Sequence, residues 1–566
     1  MNRKDIKIQN INQLGLAVAI TILLCYIASV VFFRIDLTQE KRYTLSDVSK
    51  QILRQLPDEV FIRIYLDGDI PSGFKHLNKS IHEMLDEFRI FSGNNIQYQF
   101  IDPYESNDPK TLNTLVQDLY KKGIQPTNVK IKDAKGGYSE KLVIPGALIT
   151  YNGIEIPVTL LSNNPGISGE ENLNNSIQEL EYNLINAIHS ISNTKLEKIA
   201  FLEGQGELNQ YQVGDITREL ANYYQVDRGK IEGRFHSLDP YKCVIIAKPQ
   251  TAFSEEDKFV LDQYLMNGGK ILWFVNPVKV DADSIAKGSS LAFIQQLNIE
   301  DQLFKYGIRI NPSIIQDVQC SLIPVNSSLN GEQPKFTPAP WLYFPLLNGS
   351  PDNAVSRNLN MIKAEYSCFI DTLQANGKLN KTILLQSSKY SRIRNVPSFI
   401  SLGEIRQKLE ESDFNLSYLP VAVLVEGKFP SVFKNRILAN LKIKDKFTFR
   451  EVSVPTKILV VADGNIIRND IRQTADGTLI SQLGFDKYTS QVYGNKEFIL
   501  NAVNYINDET GLMKLRSREI KLRLLDKTKI AEEHLKWQLI NVVVPILFVI
   551  IIGIVFSFWR RKIYSR

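Results

Sequence analysis

Hydrophobic positions along the chain fall into two kinds of pattern. An unbroken apolar run stands near each end, at residues 14–33 and 539–558, and about 500 residues between them carry shorter stretches of helical or alternating period. The late run, LINVVVPILFVIIIGIVFSF, holds no charged residue. Roughly 20 apolar residues are what a helix needs to cross the hydrocarbon of a bilayer. Trp537 and Trp559 bracket the run at headgroup level, and Arg560, Arg561 and Lys562 follow it. Pro545 is tolerable there because neighbouring helices satisfy the freed carbonyl. Asn541 offers an amide to a partner helix or to the interface. The early run follows Arg3, Lys4 and Lys7 and is closed by Arg34. Its length, with no clear A-x-A cleavage site preceding Arg34, predicts an uncleaved anchor in preference to a signal peptide. Two spans put both termini on one side, and the basic C-terminus favours the cytoplasm. The pattern therefore predicts a two-pass protein of the cytoplasmic (inner) membrane. Residues 1–13 and the basic tail 559–566 would be cytoplasmic, and the large middle periplasmic.

Within the middle, residues 35–195 read as one α/β domain. Ser46 caps a helix that ends before Pro57, and 60–66 is a strand. Residues 74–91 carry Leu77, Ile81, Leu85 and Phe88 at helical spacing. A strand at 96–101, a helix at 111–122, short strands at 129–131, 142–151 and 154–160, and a helix at 173–191 complete the unit, with Asn152-Gly153 as a hairpin turn. This order predicts a thioredoxin-like domain without the redox pair of cysteines. Residues 196–510 read as a second domain. The strands IAFLEG, CVIIA (243–247) and ILWFV (271–275) are apolar throughout, and 421–425 and 458–461 are two more of the kind. Such strands separated by helices, at 254–266 and 496–506, predict a parallel sheet covered on both faces. Residues from about 311 to 456, rich in proline (TPAPWLYFP), read as an irregular, loop-rich insertion. Residues 511–538 form a juxtamembrane stalk. Ile520, Leu522 and Leu524 alternate in it like a strand, and a helix from Lys527 continues into the span. Lys514, Arg516, Arg518, Lys521, Arg523, Lys527 and Lys529 make the stalk basic, which suits either a solvated surface or contact with anionic membrane lipid.

Composition narrows the function. The chain has 566 residues, 23% of them charged, and a net charge of only +6 that is scattered, so no nucleic-acid footprint stands out. Cys25, Cys243, Cys320 and Cys368 contain no CxxC, which argues against a disulfide framework and against a zinc site. One disulfide among the last three is left open. In a doubly wound sheet, ligands bind beyond the carboxyl ends of strands. Two turns qualify: Glu203-Gly204-Gln205-Gly206-Glu207 and Asp463-Gly464-Asn465. Their carboxylates and glycines could bind a cation or a polar ligand, though such turns are more often ordinary strand-to-helix connections. Asn209 stands where a dinucleotide fingerprint needs its third Gly, and no G-x-x-x-x-G-K-[ST], HExxH or G-x-S-x-G occurs. No catalytic residue, metal or cofactor is therefore expected.

DLTQEKRYTLSDVSKQIL followed by PDEVFIRIYLDGDIP, GQGE (204–207), VIIAKPQ, LDQYLMNGGKILWFVNP (261–277), ILVVADGN and NKEFILNAVNYIND together resemble the gliding-motility-associated, substrate-binding-like auxiliary subunits of ABC transporters. The resemblance spans nearly the whole chain. It implies a second domain of the flavodoxin-like, glutamine-amidotransferase-like fold that also occurs in an intraflagellar-transport protein. Amidotransferases carry a catalytic Cys that this chain lacks at the matching turn, and Gln205 stands where the family often has His. The resemblance thus implies a binding or scaffolding role beside an ATP-hydrolysing subunit and a polytopic permease, in gliding motility or cell-surface export. A membrane-tethered hydrolase built on Glu203, Glu207 and Asp463, and a solute receptor, are the alternative readings.

Overall fold

The computed structural model describes residues 3–30, 44–105, 108–132, 138–162, 164, 167–193, 196–326, 328, 333, 335–373, 379–438, 441–474, 477–517 and 527–564. It is a mixed α/β structure with several sheets. The chain divides into a large unit that ends at residue 519 and a small unit holding the C-terminal helix.

The first helix, α1 (Arg3–Val30), has an apolar described stretch, Ile11–Tyr26, shorter than a span needs. Residues 31–33 of the expected first span lie outside the described residues. Next come α2 (Asp47–Arg54), β1 (Val60–Ile64), α3 (Ser72–Phe91), β2 (Ile96–Phe100), α4 (Pro109–Lys121), β3 (Thr127–Lys132), β4 (Tyr138–Val143), β5 (Gly146–Tyr151), β6 (Ile154–Thr159) and α5 (Gly169–Ser192). Four strands form a sheet in the order β2-β1-β5-β6, parallel only between β1 and β2. Val60, Ile62 and Ile64 point from β1 into a core completed by Leu77, Ile81 and Leu85 of α3 and by Leu184 and Ile188 of α5. The apolar run 142–151, expected to be one strand, is two. β4 pairs with β3 in a separate hairpin, while β5 joins the sheet. The break falls at Pro145, which has no N–H to give to a ladder. A side chain on Gly146 would lie 2.4 Å from Ile124 Cγ2, so the chain turns there against α4's end.

The main sheet begins with β7 (Lys198–Glu203), α6 (Gly214–Leu220), β8 (Gln225–Lys230), β9 (Cys243–Ala247), α7 (Glu255–Met266) and β10 (Lys270–Phe274). Ser254 caps α7 by accepting the Asp257 N–H at 3.0 Å, and Gly268, at φ 100°, ends the helix. The segment expected to be irregular is instead rich in strands. Around it run β11 (Val278–Lys279), α8 (Ala282–Ala286), β12 (Ser289–Ile294), α9 (Glu300–Lys305), β13 (Ile308–Asp317), β14 (Cys320–Asn326), β15 (Phe336–Gly349), β16 (Ile362–Lys363), β17 (Cys368–Thr372), β18 (Asn380–Gln386), β19 (Ser391–Asn395) and β20 (Ser398–Ser401). Pro338 and Pro340 lie two residues apart in β15, so their missing donors fall on one side of the strand. The strand sits in the outermost pair of the sheet, where proline is tolerated.

After β21 (Pro420–Gly427) and β22 (Thr456–Val461) the order is β14-β15-β18-β21-β22-β10-β9-β7-β8. β22, β10, β9, β7 and β8 are parallel, and β21 onwards is an antiparallel extension. One face of the parallel part packs on Val260, Leu261 and Leu265 of α7. The other packs on Ile216 and Leu220 of α6 and on Phe498, Ile499 and Val503 of α10 (Asn495–Asn507).

A 3-10 turn, Leu512–Ser517, follows α10 and sends Leu512 and Met513 into the core beneath α5. There Arg516 donates from Nη2 to Glu179 at 3.0 Å and to the Arg357 carbonyl at 3.4 Å. Two residues along α5, Glu181 accepts the Ser46 N–H at 2.8 Å and the Ser49 hydroxyl at 2.7 Å. One helix thus grips the first described segment after α1 and the last described segment of the large unit. The alternating residues 520–524 lie outside the described residues. In the small unit, α11 (Lys527–Tyr564) runs unbroken, and its part Glu533–Lys562 is long and apolar enough to cross a membrane.

Candidate functional site

The carboxyl ends of the five parallel strands share one edge of the sheet. From β7 the chain steps outward to β8 and then back past β7 to β9, β10 and β22, so the winding reverses between β7 and β9. Ligands of open α/β sheets bind at such reversals.

Here the two loops at the reversal hold each other. The Gln205 carbonyl accepts the N–H groups of Gln250 and Thr251 at 2.7 and 3.0 Å, and the Leu208 N–H reaches the Ala247 carbonyl at 2.9 Å. Gly204 and Gly206 have φ of 132° and 75°, a backbone that only glycine adopts without strain. The Gln205 side chain is buried and donates to Asp257 Oδ2 at 3.1 Å, while Asp257 Oδ1 takes the Gly233 N–H. Glu207 Oε2 accepts the Gln205 N–H at 2.8 Å. Burial pushes the Glu207 carboxyl above its ordinary range, and its Oε1 is buried with no partner among the described residues. Glu203 is half-buried and takes Arg228 Nε at 2.6 Å, with the guanidinium carbon 5.7 Å from the centre of the Phe201 ring.

Asp463 is fully buried, and both its oxygens are occupied. Oδ1 accepts from the Asn465 N–H at 2.8 Å and Asn276 Nδ2 at 3.4 Å; Oδ2 accepts from the Glu365 N–H and the Ser367 hydroxyl, each at 2.7 Å. Burial raises its pKa as well. Gly464 lets the turn close, since a Cβ there would lie 2.6 Å from Lys248 Cβ. The Asn465 amide donates to the Glu365 carbonyl at 3.0 Å and its oxygen accepts Lys248 Nζ at 2.5 Å. Arg468 pairs with Glu365 at 2.8 Å.

The structure therefore places the two sequence-predicted turns on the same edge without joining them. β9 and β10 stand between β7 and β22, which at about 4.8 Å per strand separates the turns by roughly 14 Å. Glu203, Glu207 and Asp463 do not converge on one reacting atom. Cys243 is fully buried at the opposite, amino end of β9, and burial pushes its thiol far up, which removes it as a nucleophile. Sequence reasoning missed Lys248, Glu365, Ser367 and Arg468. Only Lys248 left a local signal, a charged residue directly after a wholly apolar strand and before Pro249. Arg516 of the basic stalk is buried against Glu179, so it is withdrawn from any headgroup.

Residues 196–502 match the family described as an ABC-type uncharacterized transport system, and the chain belongs to that family. It is thereby a transporter-associated auxiliary protein, one that works in association with transporter components. Residues 39–150 match a domain of unknown function. No curated protein matches the chain. Among solved structures it is similar to one titled "mmIFT52 N-terminal domain", at 13% identity and a TM-score of 0.31, over 57% of this chain and 100% of that one.

Proposed function

We propose that this chain is a non-catalytic, membrane-anchored, substrate-binding-like auxiliary subunit of an ABC transporter that serves gliding motility or cell-surface export, akin to the G component of the Gld system. The family match over residues 196–502 carries this reading. The apolar stretch Glu533–Lys562 supports the anchor, and together with residues 14–33 a two-pass topology with a periplasmic body. We read the four-stranded sheet as thioredoxin-like and the parallel strands as an amidotransferase-like sheet whose edge has become a structural joint. The turn after β7 is spent on holding the loop after β9, and the turn after β22 on holding the loop at 365–367, which supports a scaffold over a catalyst. Lacking a phosphate-binding loop in its sequence, the chain relies on an ATP-hydrolysing subunit for energy and on a polytopic permease for a path.

Native purification of the full chain from its host membranes in mild detergent, read by mass spectrometry, tests this. Recovery of an ATPase and a multi-spanning protein in constant proportion is the expected outcome. Recovery of the chain with neither contradicts it.

A further inference from the structure

Lys248, the residue that follows β9 at the winding reversal, has an ammonium group that feels the carboxylates of Asp463 and Glu365 only from beyond ion-pair distance. Its φ is +57°, a left-handed backbone that a residue with a side chain seldom adopts and that concentrates at functional positions. Nζ reaches one partner, the neutral amide oxygen of Asn465, at 2.5 Å. No carboxylate of the described residues lies within ion-pair distance of it. The acids nearby are already engaged: Asp463 by four donors and Glu365 by Arg468. Other enclosed lysines of this chain are treated differently. Lys258 has Asp301 at 2.9 Å, Lys363 has Asp486 at 3.2 Å, and Lys496 has Asp215 at 3.1 Å. Enclosed cations are normally paired, because an uncompensated charge out of water is costly. Burial, and then the positive charge of Arg468, push Lys248 down to about 8, with Asp463 and Glu365 acting weakly in the opposite direction.

Geometry supplies the rest of a site. Gly464 is what lets the β22 turn press against the Lys248 side chain, and a Cβ there would also come 2.8 Å from Asn276 Oδ1. The same turn links the two cations: Asn465 accepts Lys248 Nζ and donates to the Glu365 carbonyl, and the carboxylate of Glu365 holds the partly exposed Arg468 guanidinium. We propose that Lys248 and Arg468 together bind a small oxyanion, a carboxylate or phosphate group, at the carboxyl edge of the parallel strands. The ammonium supplies a compact charge and the guanidinium a planar pair of donors, the combination suited to such groups. An anion there adds a counter-charge within reach of both cations, beside the Glu365 carboxylate that Arg468 already holds. This site goes beyond the auxiliary-subunit reading and does not depend on it.

The test uses the full chain in detergent micelles, labelled with acetic anhydride at pH 7.5 and read at Lys248 by mass spectrometry. Inorganic phosphate and succinate are titrated separately, with NaCl at matched ionic strength as the reference. Phosphate or succinate is expected to slow labelling of Lys248 while the surface lysines are unaffected. Arg468→Gln should raise the half-protecting concentration about tenfold, the effect of losing one charge-assisted contact. Protection by phosphate alone assigns a phosphoryl group, and protection by succinate alone a carboxylate. In a second measurement the effective anion should raise the Tm of the wild type and of Lys248→Arg but not of Lys248→Gln. Protection no greater than that given by NaCl, or protection unchanged in Arg468→Gln, overturns the proposal. Co-purification with transporter components is scored separately, so failure here and failure of the auxiliary-subunit reading remain distinguishable.

Discussion

Asp463 and Glu207 both follow strands of the parallel sheet, and their surroundings set opposite expectations for substitution. Asp463 accepts four hydrogen bonds, two of them from the loop at 365–367, about a hundred positions away in the sequence, and the others from Asn465 and Asn276. Asp463→Ala leaves those buried donors unsatisfied and should lower stability by about 3 kcal/mol, seen as a fall in the thermal midpoint of the full chain. Glu207 is raised by burial, and one of its oxygens has no partner among the described residues. A carboxyl whose folded pKa lies above its unfolded value adds stability at low pH, and that contribution is lost as pH rises through the folded value. Glu207→Gln should therefore raise the Tm at pH 7 relative to wild type and leave it nearly unchanged at pH 4. Lys248 titrates with the reverse consequence. Folding lowers its pKa to about 8 from 10.5, so between those values the unfolded chain binds more protons and stability climbs with pH. Lys248→Gln should flatten that climb in a Tm-against-pH series. The two turns were legible in the sequence because Gly and carboxylate residues follow apolar strands. What each carboxylate bonds to was not, since its partners lie far along the chain.

At the scale of elements, α5 does more than cover a sheet. Glu181 holds the first described segment after α1 through Ser46 and Ser49, and Glu179 holds the last described turn of the large unit through Arg516. The Glu179–Arg516 pair is almost wholly buried, and breaking such a pair from one side costs about 3–5 kcal/mol. Glu179→Ala and Arg516→Ala should each speed hydrogen exchange across residues 512–517, and the double variant should cost less than the sum of the two. Helices were the most readable elements: α3, α5 and α7 lie close to where apolar spacing and caps put them. The antiparallel strands between β10 and β22 were the least readable. β15 carries prolines, which usually argue against a strand, and its place at the border of the sheet depends on pairing with β14 and β18 that no local window contains. The run 142–151 failed for the same kind of reason. Its hydrophobicity continues through Pro145, but its hydrogen-bond partners change there.

For the whole molecule, one long apolar helix and membership of a transporter-associated family point the same way. A body whose sheet edge is knotted by its own turns is suited to present surfaces to neighbouring subunits. On the proposed reading the C-terminal helix would be the element that meets the transporter within the bilayer, and Asn541 is the one polar amide in its apolar run. A photo-crosslinking amino acid placed at Asn541 and activated in intact host membranes tests this most directly. It should yield one dominant adduct with a multi-spanning membrane protein, lost when the permease gene is deleted. An adduct pattern of lipid alone, or a chain recovered from the soluble fraction, would contradict a membrane-held auxiliary subunit.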